Sequence, residues 1–142
     1  MDFVIETRSR DKRQALLEFS KKYAEFLNVD KKPTTVYICL RRDVGSEHNS
    51  EGLTLGLAGD FFIYLQSSMN FCDLLRTLAH EMVHVKQLIR GQLQHKYQRG
   101  KVNAYWCGRK NSKDYLDQPW EVEAFSKEIL LFRRAVHQLT KD

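Results

Sequence analysis

The stretch from Asn70 to Gly91 restricts the fold more than any other part of the chain. Asn70 can cap a helix and Gly91 can end one. Seven apolar side chains between them recur at helical spacing and form one stripe, and His80 and His84 fall on roughly the opposite side. The stripe consists of Phe71, Leu74, Leu75, Leu78, Met82, Val85 and Ile89. The stretch therefore predicts a helix that packs on a core through one face, with solvent or a second layer over its histidines.

The same helix carries the pattern His-Glu-x-x-His at residues 80 to 84. Two histidines four residues apart point the same way from a helix and can bind one metal ion, typically zinc. The glutamate between them can act as general base on a water molecule that the metal activates. The pattern predicts that His80 and His84 are metal ligands and that Glu81 is the catalytic base.

A catalytic zinc ion usually has three protein ligands, so the pattern needs a third. A histidine six residues after His84 is excluded, because Arg90 stands there. A C-terminal helix predicted at about 119 to 139 offers two glutamates instead. On a helical wheel Glu121 lies about 50° from the centre of that helix's apolar stripe, and Glu123 about 150° away. Glu121 is therefore predicted to face inward as the third ligand, and Glu123 to be solvated beside Lys127.

The other helix predictions also rest on periodicity. Residues 9 to 28 predict a first helix, with Ser9 as its cap. The C-terminal helix has Pro119 in its first turn, where proline is favoured. Its predicted apolar stripe consists of Val122, Phe125, Ile129, Phe132, Val136 and Leu139.

Three segments predict strands. Thr34 to Leu40 is rich in β-branched and aromatic residues, and so are Leu53 to Leu57 and Phe61 to Gln66. Ala58-Gly59-Asp60 between the last two suits a tight hairpin turn. The predicted fold class is α+β, with an N-terminal helix, a small antiparallel sheet of about three strands, the histidine-bearing helix across it, and the C-terminal helix.

Two polar segments are predicted to be loops that line the substrate subsites. The first is residues 41 to 51 and the second is residues 92 to 118. The second belongs to a basic stretch that extends to residue 119. This stretch is predicted to be irregular apart from a short strand at 101 to 107. The basic run from Arg90 to Lys113 contains seven lysines or arginines with interleaved aromatic residues. It resembles a surface for single-stranded nucleic acid, but a solvated loop is the simpler interpretation.

The size and composition are those of a single globular domain, residues 1 to 142. Hydrophobic residues make up 42% of the chain and the net charge is +5. No apolar run is long enough to cross a membrane, and the N-terminus lacks the apolar core of a signal peptide. Three widely spaced cysteines form no metal or disulfide pattern, and they are predicted to be buried or half-buried. A cytoplasmic protein without membrane partners is expected; oligomeric state is not predicted.

Several further residues have both a functional and a structural interpretation. Histidines without partner spacing are predicted to be exposed; they are His48, His95 and His137. Aromatic residues of the second loop are predicted to pack it onto the domain, although a tyrosine there could donate a hydrogen bond to an oxyanion. They are Tyr105, Trp106 and Tyr115.

The segments HEMVHVKQ and PWEVEAF, separated by a loop, resemble the small His-Glu-x-x-His zinc metallopeptidases of the SprT-like and minigluzincin type, in particular short predicted metallopeptidases of tailed bacteriophages. The resemblance covers roughly residues 50 to 130. In gluzincins the ligand glutamate often stands in Glu-x-x-Ala, and Glu121 fits that pattern. The resemblance implies a zincin-like fold and Zn²⁺ held by His80, His84 and Glu121. It also implies Phe61 to Gln66 as the edge strand along which an extended substrate lies, and the host cytoplasm if a phage encodes the protein.

The expected function is zinc-dependent hydrolysis of peptide bonds in a peptide or protein substrate, with Glu81 as general base. The chain lacks the cysteine-based zinc ribbon of SprT-type proteins that act on DNA-bound proteins, which argues against DNA-linked proteolysis. Two alternatives stay open. One is a non-catalytic zincin-fold module that binds a protein or nucleic acid. The other is a closed structural metal site, which usually needs four protein ligands, whereas three candidates are found.

Overall fold

The computed structural model describes residues 1–44, 51–110 and 118–141. The elements follow in the order β1 (Asp2–Glu6), α1 (Arg10–Phe26), β2 (Thr35–Arg41), β3 (Gly52–Leu57), β4 (Asp60–Gln66), α2 (Phe71–Ile89), β5 (Leu93–Gln98), β6 (Lys101–Trp106), β7 (Arg109–Lys110) and α3 (Pro119–Leu139). The α+β class is confirmed. The three helices and the strands β2, β3 and β4 lie within a few residues of their predicted bounds.

The main sheet has four strands in the order β1-β2-β4-β3. β1 pairs with β2 and β2 pairs with β4 in parallel, and only β3 and β4 are antiparallel. The predicted antiparallel sheet of about three strands is therefore wrong in both strand number and direction. The physical reason is α1, because a helical crossover returns the chain to the same end of the sheet and makes β1 and β2 parallel. Residues 2–6 alternate between exposed and half-buried positions, the period of an edge strand.

The hairpin of β3 and β4 turns at Ala58 and Gly59, whose φ angles are 53° and 88°. Two consecutive positive φ angles are typical of the two-residue turns that match the twist of a hairpin. β4 lies between β2 and β3, so its backbone is paired on both sides. The expectation that Phe61 to Gln66 is the edge strand for substrate is therefore wrong, and the edge strand beside α2 is β3.

A second sheet contains β5, β6 and β7, all antiparallel. The prediction of an irregular stretch is wrong for residues 93–110, although the short strand at 101 to 107 is confirmed. Both of its turns carry positive φ angles, at Arg99 and Gly100 and at Cys107 and Gly108. These turn signals lie among polar residues without a repeated apolar pattern, which explains why sequence periodicity missed the sheet.

α1 and α2 pack on the main sheet, and α3 packs on these two helices. α1 begins at Ser9, whose hydroxyl accepts a hydrogen bond from the amide of Lys12, as predicted. α2 begins at Asn70, whose side chain accepts from the amide of Asp73. α2 contacts α1, α3, β3 and β4 and so lies at the centre of the domain. The fully buried core between helices and sheet includes Leu16, Tyr23, Ile38, Ile63, Leu65, Leu74, Leu78 and Met82.

α3 packs partly through the predicted face, because Phe132, Val136 and Leu139 of the predicted stripe contact the core, whereas the N-terminal half of the stripe does not. Val122, Phe125 and Ile129 of the predicted stripe are 54%, 43% and 36% exposed. The buried residues are Trp120, Glu121, Ala124, Leu131 and Ala135. Small alanines let α3 approach α2 closely, and the contact surface also contains polar residues. An apolar stripe read from the sequence does not include such residues, so it did not indicate this contact surface. The inward direction predicted for Glu121 is nevertheless confirmed.

The remaining expectations concern membranes and cysteines. No helix within the described ranges is long and apolar enough to cross a bilayer. The three cysteines are unpaired. Cys39 is buried, but Cys72 and Cys107 are exposed, so the predicted burial is wrong for two of the three.

Candidate metal centre

Three predicted ligands meet where α2 contacts α3. Oε1 of Glu121 lies 2.8 Å from Nε2 of His80 and 3.2 Å from Nε2 of His84. All three residues are buried, with 5–6% of their surface exposed. The second layer that the histidines required is therefore α3, and its first turn brings a carboxylate between both imidazole rings.

The other ring nitrogen of His84 is held by Gln87, one helical turn further along α2. Nδ1 of His84 donates to Oε1 of Gln87 at 2.8 Å. The amide nitrogen of Gln87 donates in turn to the carbonyl of Trp120 at 3.0 Å and to Glu123 at 2.8 Å. This arrangement fixes the proton of His84 on Nδ1 and leaves Nε2 for a ligand role. The sequence analysis missed Gln87, although its i+3 spacing from His84 could have indicated it.

Glu123 is not the solvated residue that the helical wheel predicted. Its carboxylate accepts hydrogen bonds from Lys86 and Lys127, both at 2.7 Å. Lys127 was expected, but Lys86 is only 3% exposed and reaches Glu123 from α2. Burial opposes ionisation of Glu123, but Lys127, Lys86 and Gln87 outweigh it and lower its pKa to about 2. Glu123 thus forms an outer layer behind Gln87.

His80 has different surroundings. The ring of Phe125 packs edge-on against it with 4.6 Å between centroids. Nδ1 of His80 is buried without a hydrogen-bond partner among the described residues. Oε1 of Glu128 lies 3.9 Å away, too far for a hydrogen bond, and its other oxygen is 3.8 Å from Arg76. Glu128, one more inward residue of α3, was not predicted as part of the site.

The carboxylate of Glu81 points away from the helix pair and towards β3. Thr54 donates a hydrogen bond to its Oε1 at 2.8 Å, and Glu81 is 4% exposed. Gly52 makes this approach possible, because a Cβ atom there would stand 3.0 Å from both Cγ and Oε2 of Glu81. One nitrogen each of His80 and His84 and an oxygen of Glu81 all lie within 4.8 Å of one another. Thr54 and Gly52 were not recognised from sequence as site residues.

The charges at the centre are coupled. Burial disfavours the protonated form of His80, but the carboxylates of Glu121, Glu128 and Glu81 together outweigh burial and raise its pKa to about 10. Burial likewise opposes ionisation of Glu121, but the two histidines lower its pKa to about 2. The pKa of His84 is also raised, against burial, by Glu121 and by the nearby Glu81. The centre therefore stabilises positive charge between the imidazole rings, and a metal ion would compete with protons for it.

A cavity of about 160 Å³ opens beside the centre. Glu81, His84 and Glu121 line it from the helices, and Thr54 and His95 from the strands. His95 is exposed, as predicted, but it also faces this cavity, which the sequence did not indicate. The part of the His95 ring that the cavity covers is desolvated, and this partial burial together with the nearby His84 lowers the pKa of His95.

The other singled-out residues lie elsewhere. His137 is exposed, as predicted. Trp106 lies near Trp120 of α3 and so packs the second sheet onto the domain, as the structural interpretation predicted. Tyr105 donates to Gln98 within the second sheet itself. His48 and Tyr115 fall outside the described residues.

The donor set fits a zinc ion. A tetrahedral site with bonds of about 2.0–2.1 Å has ligand atoms about 3.3 Å apart, close to the 2.8 and 3.2 Å that separate Glu121 from the two imidazole nitrogens. Two imidazoles and one carboxylate supply three of the four ligand positions of a tetrahedral metal site. A histidine that binds a metal usually donates a hydrogen bond from its other ring nitrogen, which fixes the orientation of the ring. Gln87 accepts such a hydrogen bond from His84.

Comparison with protein-family models, with curated proteins and with solved structures finds no match for this chain. The functional conclusion therefore rests on the geometry of the centre.

Proposed function

We propose that this protein is a zinc-dependent metallopeptidase with a zincin-like fold. His80, His84 and Glu121 would hold the metal, and Glu81 would be the general base. One observation carries the proposal: two imidazole nitrogens converge on one carboxylate oxygen, while a separate carboxylate, held by Thr54, lines the same cavity.

Each residue has one task in this proposal. When bound, zinc would supply a Lewis acid that polarises the peptide carbonyl and acidifies the attacking water. Glu81 takes the proton of that water and delivers it to the leaving amine. The hydrogen bond from Thr54 to Oε1 holds the carboxylate of Glu81 in place for this proton transfer. No side-chain nucleophile or covalent intermediate is required.

The substrate in this proposal is a peptide or protein, and nucleic acid has no role in the chemistry. We place the enzyme in the cytoplasm, in keeping with its three unpaired cysteines. A non-catalytic binding module is the competing function, and the experiment below distinguishes the two.

The test measures the zinc content of the purified protein by elemental analysis, together with its hydrolysis of fluorescein-labelled casein. We expect one zinc per chain and metal-dependent cleavage. Glu81→Gln should retain the zinc and lose hydrolysis by at least about a hundredfold, the scale of general-base catalysis. Glu25→Gln, on the exposed face of α1, is the matched control and should leave both unchanged.

Three results would overturn the proposal in whole or in part. Wild-type protein that takes up no zinc when it is offered would exclude a metallopeptidase. Wild-type protein that binds zinc but leaves casein intact would favour the binding module. Cleavage that persists in Glu81→Gln would assign the base to another residue.

A further inference from the structure

The positive net charge of the chain is concentrated in the second sheet. In all, 23 lysines and arginines stand against 18 aspartates and glutamates. Residues 93–110 contain no acidic residue and five of the basic ones, which are Lys96, Arg99, Lys101, Arg109 and Lys110. The rest of the chain therefore has 18 residues of each sign and is neutral when histidine is neutral. One small sheet, rather than the whole surface, carries the charge that attracts an acidic partner.

The two faces of the second sheet differ in what they present. Strand alternation and the pairing register place three lysines on one face, and they are Lys96, Lys101 and Lys110. The opposite face turns towards the domain, because Leu93 on it is 3% exposed and Trp106 on it lies near Trp120 of α3. The face with the three lysines therefore points outward, and all three side chains are exposed. We call it the lysine face.

The lysine face has no counter-charge of its own. Among the described residues, none of its three lysines forms an ion pair, whereas Lys22 pairs with Glu25 and Lys86 with Glu123. Like charges that are close together repel one another, and an anionic ligand relieves that repulsion. Neighbouring strands are about 4.8 Å apart and each residue adds about 3.4 Å, so the three lysines span roughly 15 Å. An extended segment of about five residues has the same length.

The side chains on the lysine face favour carboxylates over nucleic acid as the partner. Single-stranded nucleic acid stacks its bases on free aromatic rings. Tyr105 is the aromatic residue of this face, but it is half-buried and Nζ of Lys96 lies 4.6 Å from the centre of its ring. The charges on this face also come from lysines, whereas phosphate recognition favours the planar fork of arginine. The face therefore suits an acidic polypeptide, which it recognises by charge.

The lysine face adjoins the metal centre. Lys96 follows His95, which lines the 160 Å³ cavity at the centre. Both residues also line a neighbouring cavity of about 520 Å³ that the turn between β3 and β4 borders. Consecutive residues of a strand are about 3.4 Å apart, so the centre and the lysine face are within reach of one substrate chain.

We propose that the lysine face is an accessory surface that selects substrate proteins with an acidic segment close to the bond that is cut. The inference rests on the proposed peptidase function and specifies its substrate class. The segment has about five residues rich in aspartate and glutamate, and its carboxylates pair with Lys96, Lys101 and Lys110. These contacts lie outside the cavity where the reaction takes place and are the same in the ground state and the transition state. They therefore lower KM and leave kcat unchanged.

Fluorescence anisotropy tests the binding without relying on cleavage. The probe is a labelled peptide of about ten residues that alternates glutamate and serine, and its reference peptide has glutamine at every glutamate position. We expect the wild type to bind the acidic peptide at least about tenfold more tightly than the reference. The difference should disappear at about 1 M salt, where charges are screened beyond about 3 Å. Equal affinity for both peptides at low salt would overturn the proposal.

Charge-reversing variants test where the acidic peptide binds. Lys96→Glu combined with Lys101→Glu should weaken its binding at least about tenfold and leave the zinc content unchanged. The matched control combines Lys21→Glu with Arg133→Glu, which changes the net charge equally at exposed positions of α1 and α3. Replacing Lys96 and Lys101 by glutamine should give a smaller loss in the same direction, and circular dichroism verifies each fold. Equal losses in the lysine-face and control variants would indicate a response to overall charge and would contradict the assigned surface.

Oligonucleotides test the choice of partner. A single strand and a duplex, each with as many negative charges as the acidic peptide, are measured in the same assay at about 0.15 M salt. We expect both to bind more weakly than the acidic peptide. Tighter binding of either one, if lost in the variant with Lys96→Glu and Lys101→Glu, would assign the lysine face to nucleic acid and reject the acidic polypeptide.

Kinetics separate this inference from the proposed function. If the wild type cleaves casein, joining the acidic peptide to a casein fragment that it cuts should lower KM about tenfold with kcat unchanged, and the lysine-face variants should cancel this gain. A KM that the acidic segment does not change would leave the peptidase and reject the accessory surface. If casein is not cleaved but the variants weaken binding of the acidic peptide, the surface stands and the peptidase does not. Neither cleavage nor binding would reject both.

Discussion

Two walls enclose the site, and they are built in different ways. The helical wall, formed by α2 and α3, buries His80, His84 and Glu121 and supports them with further polar side chains. The strand wall, formed by β3 and β5, presents two sheet edges and exposed apolar residues such as Leu55. A metal ion requires ligand atoms in fixed positions, whereas a substrate chain of variable sequence is recognised mainly through its backbone.

The difference also concerns how each wall uses buried polarity. In the helical wall a continuous set of hydrogen bonds runs from His84 through Gln87 to Glu123 and Lys86. Buried polar groups are costly unless all of them are paired, so such a set restricts the side chains to one arrangement. The strand wall has few buried polar side chains, with Thr54 as the main contact to Glu81. Substitutions in the helical wall should therefore change metal binding, and those in the strand wall should change turnover alone.

The largest expected effect is that of Glu121→Ala, which removes a ligand from the helical wall. Loss of an outer partner of a ligand typically weakens metal binding 10- to 100-fold, so loss of the ligand itself should exceed about a hundredfold. The dissociation constant for zinc is measured by competition with a chromophoric chelator, and circular dichroism verifies the fold.

Glu123→Gln is the control for Glu121→Ala, because it removes a carboxylate charge from the same turn of α3. It should weaken zinc binding less than about tenfold, since Glu123 reaches His84 only through Gln87. Equal losses from the two substitutions would contradict the assignment of Glu121 as the ligand.

A smaller effect is expected from Gln87→Leu, which removes the outer partner of His84. The imidazole would lose the acceptor that fixes its tautomer, and we expect zinc affinity to fall about 10- to 100-fold. The same chelator competition measures it, and ¹⁵N NMR of the histidine ring reports the tautomer independently of activity. Lys127→Ala, which removes a partly exposed ion pair behind Glu123, serves as the control. A wild-type tautomer distribution and zinc affinity in Gln87→Leu would show that Gln87 does not position His84.

The two walls also differ in how far sequence predicts them. The helices of the helical wall follow from periodicity and caps, and the fixed spacing of His80, Glu81 and His84 places those residues on one helix. The inward direction of Glu121 was predicted correctly even though the N-terminal half of the apolar stripe used to derive it is exposed. The reason is that Glu121 and Ala124 occupy the face that packs on α2, three residues apart.

The strand wall and the outer polar layer could not be predicted in the same way. Strand pairing between distant segments, such as β1 with β2, is a tertiary property that local periodicity does not encode. The partial burial of Glu123 depends on Lys86, a buried residue 37 positions away in the sequence. A charged residue is predicted to be exposed unless the residue that pairs with it is known. Glu123 was therefore wrongly predicted to be solvated.

The smallest expected effect belongs to Thr54→Val, and it tests whether the strand wall acts on turnover alone. Valine keeps the shape of the side chain but removes the hydroxyl that donates to Glu81, so the base is less well oriented. A hydrogen bond from a neutral hydroxyl to a charged carboxylate contributes about 1.5 kcal/mol, which corresponds to about a tenfold change in rate. We therefore expect kcat for casein to fall about tenfold while zinc affinity is unchanged. Thr140→Val, at the far end of α3, is the control. If Thr54→Val instead weakened zinc binding as much as Gln87→Leu, the strand wall would not act on turnover alone. The position of Glu81 would then also affect how His80, His84 and Glu121 bind zinc.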